Sequence, residues 1–157
     1  MILLPLLLQV TPVAPIVKGT ALPPPDSTEA AVVAPLTTLL AALERSDGAT
    51  ILAQTLPEGV ITATRTGPDG KPQRRTLRWA EFAAQLKPEA GRIVEKIGQP
   101  AVEVDGNAAM IWAPYTVTID GKFSHCGYDH VDLVRTDAGW KILNLTYSHR
   151  TEGCTAP

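Results

Sequence analysis

Residues 112–154 read WAPYTVTIDGKFSHCGYDHVDLVRTDAGWKILNLTYSHRTEGC. Runs of Val, Ile, Thr, Tyr and Trp alternate with two short turns, Asp120-Gly121 and Asp137-Ala138-Gly139. Asp-Gly favours a tight hairpin because its backbone needs positive φ, which glycine adopts without a steric penalty. The stretch therefore predicts three consecutive antiparallel strands, over 108–119, 122–135 and 140–149. Side chains alternate between the two faces of a strand, so the pairing register sorts these residues onto two surfaces.

Centring the hairpins on their turns places Tyr115 opposite Cys126 and Cys126 opposite His149. One face then collects Met110, Trp112, Thr116, His125, Asp129, Val131, Leu133, Trp140, Ile142, Asn144, Thr146 and Ser148. It grades from an apolar end suited to packing under helices to a polar end around Asp129 and His125. An apolar floor with a few convergent polar groups is the general form of a small-molecule site. The other face holds Ile111, Tyr115, Val117, Cys126, Tyr128, His130, Leu143, Leu145, Tyr147 and His149. Such an apolar, aromatic surface implies burial against a second copy, a homodimer packed sheet to sheet.

Upstream, residues 92–104 form a strand broken at Gly98-Gln99-Pro100, since proline cannot donate to a central ladder. Residues 60–65 and 71–79 form a hairpin around Gly67-Pro68-Asp69-Gly70, followed by a short helix to Leu86 that Pro88 ends. Val33, Leu36, Leu39, Leu40 and Leu43 recur at helical spacing. Asp26 and Glu29 are placed to cap that helix, and Pro35 either bends it or begins it. Ser46-Asp47-Gly48 starts a second helix over 49–56. Helices grouped before an antiparallel meander make an α+β domain, with the helices covering the concave face of a curved sheet.

Before Asp26 the chain reads MILLPLLLQV and then a proline-rich segment ending Pro23-Pro24-Pro25. The apolar run is too short to span a bilayer and resembles a secretory signal, although no Lys or Arg precedes it. Residues 1–25 are thus read as leader and linker and 26–157 as the domain, exported to a bacterial periplasm. The two cysteines, Cys126 and Cys154, fit a disulfide in that setting, closing a loop whose denatured-state entropy is worth about 3–4 kcal/mol. A formal net charge of −2 excludes the basic surplus of a nucleic-acid binder.

The element order resembles the nuclear transport factor 2-like superfamily of cone-shaped domains. Trp112-Ala113-Pro114-Tyr115, Asp120 to Gly127, Gly139-Trp140-Lys141-Ile142 and Tyr147 through Arg150 to Cys154 are similar to its lumazine-binding-like branch. That resemblance implies a dimer packed through its sheets. It also implies an Asp or His inside the cone as acid or base, here Asp129 and His125, with Tyr115 as a further candidate.

The ligand-binding set read from the polar end of the first face is Trp112, Asp129, Asn144, Thr146 and Trp140. A carboxylate enclosed by apolar side chains has a raised pKa, suited to a general base near neutrality. His125, Cys126, His130, His149 and Cys154 fit no closed zinc pattern, so neither metal nor cofactor is implied. Arg65, Lys71, Arg74, Arg75 and Arg78 crowd the first hairpin, where charge protects an exposed edge strand from aggregation or else steers an anion. Three functions follow: a binder of a small, partly apolar molecule, which is the leading one because no nucleophile–base–orienter set is present; a cofactor-free isomerase or dehydratase with Asp129 as base; and a dimeric interaction module.

Overall fold

The computed structural model describes residues 27–154, so the leader, the linker and the Asp26 cap lie outside the described residues. Three helices, α1 (Ser27–Glu44), α2 (Gly48–Gln54) and α3 (Trp79–Gln85), pack on one curved sheet. Its strands are β1 (Val60–Thr66), β2 (Pro72–Arg78), β3 (Ile93–Ile97), β4 (Ala101–Asp105), β5 (Ala108–Ile119), β6 (Lys122–Thr136) and β7 (Gly139–His149). The order across the sheet is β2-β1-β7-β6-β5-β3, with β4 also on β5. The sheet is mixed, because β1 runs parallel to β7 while the other pairs are antiparallel.

Pro35 lies inside α1, which continues through it. Asp47 starts α2 by accepting a hydrogen bond from the Thr50 amide at 3.0 Å. The break at residues 98–100 separates β3 from β4, and both lie along β5. Pro114, at the middle of β5, has no amide to offer there; its carbonyl instead accepts from the Gly98 amide at 2.7 Å. Asp120 and Gly121 both have positive φ, 51° and 76°, as the tight turn requires.

The core lies between the helices and the concave face, with Val32, Leu36, Ile51, Trp79, Ile111, Val131, Leu133 and Ile142 at its centre. Trp79, fully buried, donates from Nε1 to the Leu143 carbonyl at 2.9 Å. Phenylalanine at this position would leave that carbonyl without its donor and open a void. Trp79→Phe is expected to cost about 2–4 kcal/mol in a urea titration.

Two bulges correct the expected register. From the Asp120-Gly121 turn, Ile119↔Lys122 and Thr118↔Phe123 pair as expected, and then Ser124 is extra, so Val117 faces His125 and Tyr115 faces Gly127. From the second turn the register holds to Leu133↔Ile142, and then Leu143 is extra, so Asp132 faces Asn144 and Cys126 faces Arg150. One added residue inverts every side chain beyond it. Ile111, Tyr115, Val117, Leu145 and Tyr147 therefore turn toward the helices, against expectation. Trp112, Thr116, Asn144, Thr146 and Ser148 turn away. The outer face is more polar than expected, and its aromatic residues are Trp112 stacked on Tyr128 at 5.1 Å, with His130 beside them, and the exposed Phe123 near the turn.

Candidate functional site

The helices do not fill the cone completely. A cavity of about 150 Å³ remains between α1, α3 and the concave face. Leu39, Leu40 and Leu43 of α1 and Phe82 of α3 roof it, and Ile61, Ile93, Val117 and Leu145 complete its apolar wall. Its polar groups are Glu95, Tyr115, His125, Asp129 and Tyr147.

The ladder explains why these five converge. Glu95 pairs with Val117, which pairs with His125 across three strands. Asp129 lies between Ala113 and Tyr147. The Ser124 bulge aligns Tyr115 and His125 on one face, and the Leu143 bulge brings Tyr147 beside Asp129.

Asp129 is 2% exposed, and among the described residues its Oδ2 finds no N–H or hydroxyl donor. The side chain it meets is the Glu95 carboxyl, within hydrogen-bonding contact. Two carboxylates cannot both ionise at that distance in an apolar pocket, so one proton is shared. Burial raises the Glu95 carboxyl far above the usual carboxylate range, and the Asp129 charge raises it further. Burial also raises Asp129, to about 6, against the opposing effect of the hydrogen bond from Glu95. Near neutral pH the pair is thus a protonated Glu95 donating to an Asp129 carboxylate.

Burial, with the Glu95 and Asp129 charges, holds the Tyr115 phenol protonated. Its hydroxyl donates to the Ser148 carbonyl at 2.8 Å and so is already engaged. Tyr147, also raised by burial, packs edge-on against the Tyr115 ring at 6.1 Å. Among the described residues its hydroxyl has no hydrogen-bond partner. His125 is half-buried, and burial, followed by the His149 charge, pushes it down to about 4. It is a neutral imidazole, with Nδ1 3.0 Å from Ser124 Oγ and its ring stacked on His149 at 4.1 Å.

The three residues expected to do acid–base work, Asp129, His125 and Tyr115, all line the cavity. Of the expected ligand-binding set, Asp129 alone does so. Trp112 is 45% exposed on the outer face. Thr146 is exposed there too. The Asn144 side chain is tied up, its Oδ1 accepting from the Val60 amide at 3.2 Å and its Nδ2 facing Asp132 Oδ2 at 3.3 Å. Trp140 is buried in the core beside the Arg135 guanidinium and outside the cavity. Glu95 and Tyr147 were missed. Ile93-Val94-Glu95-Lys96-Ile97 did carry a signal, a carboxylate between two apolar residues on the strand's inward parity. Tyr147 was assigned to the outer face by the register that the Leu143 bulge overturns. Cys126 and Cys154 form a disulfide, Cα atoms 5.9 Å apart, and no cluster of metal-ligating side chains occurs among the described residues.

No protein-family model matches the chain, and no curated protein matches it by sequence. Solved structures do match in fold. A nuclear transport factor 2-like superfamily protein from Salmonella enterica superposes with a TM-score of 0.61 at 18% identity, covering 82% of this chain and 96% of that one. A nuclear transport factor 2-like protein with a cystatin-like fold from Novosphingobium aromaticivorans gives 0.61 at 15% identity, over 80% and 82%. A candidate dehydratase of the same family from Streptomyces avermitilis gives 0.60 at 19% identity, over 82% and 99%. The chain has the nuclear transport factor 2-like fold.

Proposed function

We propose that the protein binds a small molecule whose uncharged, largely apolar part enters the cone, with one polar group of that part held by the Glu95–Asp129 pair. The observation that carries this reading is the Asp129 carboxylate oxygen, buried at the cavity wall without an N–H or hydroxyl partner. Such a group is costly to retain in a domain whose only task is to fold. The volume suits a single ring of roughly six to ten heavy atoms, since a cavity of about this size accommodates benzene.

Export to a bacterial periplasm accompanies this reading, supported by the apolar leader-like residues 1–10 and by the disulfide. The similarity to the lumazine-binding-like branch belongs here as well, on the motif residues of β5–β7. A homodimer has only the Trp112–Tyr128 stack on the outer face in its favour.

One feature favours the enzymatic reading, a cofactor-free isomerase or dehydratase. A carboxylate beside a protonated carboxyl, with the unengaged Tyr147 hydroxyl on the same wall, supplies both a base and a donor. Asp129 would take a proton from the carbon next to a carbonyl, and Tyr147 would donate to the developing enolate oxygen. The fold-level likeness to a candidate dehydratase is in keeping with this but assigns no residue.

Methyl-resolved NMR with phenol and with cyclohexenone tests the binding. Saturable shifts are expected at Leu39, Leu40, Val117 and Leu145, with free energies of about −4 to −6 kcal/mol, a Kd between about 1 mM and about 40 µM. Asp129→Asn should weaken phenol by about 10-fold, as expected for the loss of a charge-assisted hydrogen bond. Unperturbed cavity methyls with both probes would overturn the reading.

A further inference from the structure

Arg74, Arg75 and Arg78 lie on the exposed edge strand β2, as edge protection would place them, but two further arginines beside them do not. Arg65 is on β1, an interior strand between β2 and β7, and Arg150 follows β7. Arg65 and Arg75 share the inward parity of β1 and β2 with Ile61 and Leu77, on two adjacent rows, Arg75-Ala63-Tyr147 and Gln73-Arg65-His149, that cross the sheet. Together they wall a cleft of about 290 Å³ lined by Arg65, Gln73, Arg74, Arg75, Tyr147 and His149. A second, more open cleft adjoins it, where Arg65, Arg74 and His149 meet Arg150.

Among the described residues no carboxylate lines either cleft. Arg65, Arg74, Arg75 and Arg150 form no ion pair among the described residues, whereas Arg45, Lys71 and Arg92 each have an acidic partner. The hydrogen bonds the four do make are to neutral groups: Arg65 Nε to Gln73 Oε1 at 3.0 Å, Arg75 Nη2 to Gln85 Oε1 at 2.8 Å and Arg150 Nε to Cys126 Sγ at 3.3 Å. Guanidinium groups gathered around a concave surface without counter-charge form an anion site, because their planar forks match carboxylate and phosphate oxygens.

The cleft borders the cone. Tyr147 lines both, and His149 of the cleft stacks on His125 of the cavity. We infer that the ligand is an amphipathic acid whose apolar head enters the cone and whose carboxylate or phosphate is held outside it by Arg65, Arg75 and His149. The orientation is fixed by charge, since the Glu95–Asp129 pair repels an anion from the interior and the arginines attract it at the mouth. The inference rests on the cone being a binding cavity and adds the substrate class and its direction of entry.

Calorimetry with phenylbutyrate and phenylbutyl phosphate, each against phenylbutanol, tests it on the full chain. Both acids should bind at least about 10-fold more tightly than the alcohol, an advantage that shrinks between about 50 mM and about 500 mM salt. The exposed double substitution Arg65→Gln with Arg75→Gln should remove that advantage and leave the alcohol's affinity unchanged. Alcohol binding with no advantage for either acid overturns the anion site but not the cone. Failure of all three to bind overturns both. Acid binding that leaves the Val117 and Leu145 methyl resonances unmoved overturns the two-part ligand.

Discussion

Gly127→Ala is expected to destabilise the protein by more than about 3 kcal/mol, lowering the thermal midpoint by at least about 10 °C. A Cβ at this position would lie 1.8 Å from the Ser148 carbonyl oxygen and 2.8 Å from its carbon. Both belong to the backbone of the neighbouring strand, so no side-chain rotation relieves the overlap. The same carbonyl accepts the Tyr115 hydroxyl at 2.8 Å. Displacing it would leave a buried phenol without its acceptor, at a further cost of about 1–3 kcal/mol. Gly70→Ala is the comparison: its Cβ would meet nothing within 4 Å, and only its φ of 75° opposes the change, so about 1 kcal/mol is expected. A Gly127→Ala protein within about 1 kcal/mol of the parent in urea would show that β6 and β7 do not approach as described.

The second large effect concerns Asp129. At about pH 8 Asp129→Asn is expected to be more stable than the parent by about 1–3 kcal/mol, because a buried carboxylate is replaced by a neutral amide. The sign of the pH dependence follows from linkage. Asp129 is raised from 3.8 to about 6 in the fold, so the native state binds more protons than the unfolded chain within that window. Stability therefore falls as pH rises from about 4 through about 6, and Glu95, raised well above its usual range, carries the decline higher. His125 acts in the opposite sense. It is lowered from 6.5 to about 4, so the unfolded chain binds the extra proton and stability rises with pH between those values. In the parent the two raised carboxyls outweigh His125 below about pH 6.5, and above it the decline continues without that opposition. Asp129→Asn leaves Glu95 alone against His125, so the profile should become nearly flat below about pH 6.5 and keep a shallower decline above it. Urea titrations at several pH values read this directly. A parent flat above pH 6.5, together with a destabilised Asp129→Asn, would show that the two carboxyls do not share a proton.

The strands were legible because their punctuation is chemical: Asp120-Gly121 and Gly139 dictate turns whatever packs around them. The existence of an acid in the cone was legible too, since Asp129 lies between inward apolar residues on a strand free of irregularities from Gly127 to Asp132. The companions of Asp129 were not. Ser124 and Leu143 look like ordinary strand residues, and nothing local to them announces an added residue. Leu143 is extruded where Gly59 and the Trp79 indole close on its carbonyl, a contact made by segments more than 60 positions away in the chain. Tertiary partners decided those bulges, and each bulge exchanged the faces of Trp112 with Tyr115, or of Asn144 and Thr146 with Leu145 and Tyr147. Glu95 was hidden for a different reason, because its neighbour Asp129 becomes adjacent only after β5 is laid between their strands.

The parallel contact of β1 with β7 sets the order in which the molecule can be assembled. Ile61 meets Leu145, 84 positions further along the chain, only after all the residues between them have been synthesised, and closing so long a loop delays that step. Until β7 emerges from the ribosome, β1 is paired on one side only and the cavity lacks the part of its wall made by Leu145 and Tyr147. The cavity is therefore enclosed late in the assembly of the molecule. A holdase that shields Ile61 and Leu77 would be most useful in the interval before then.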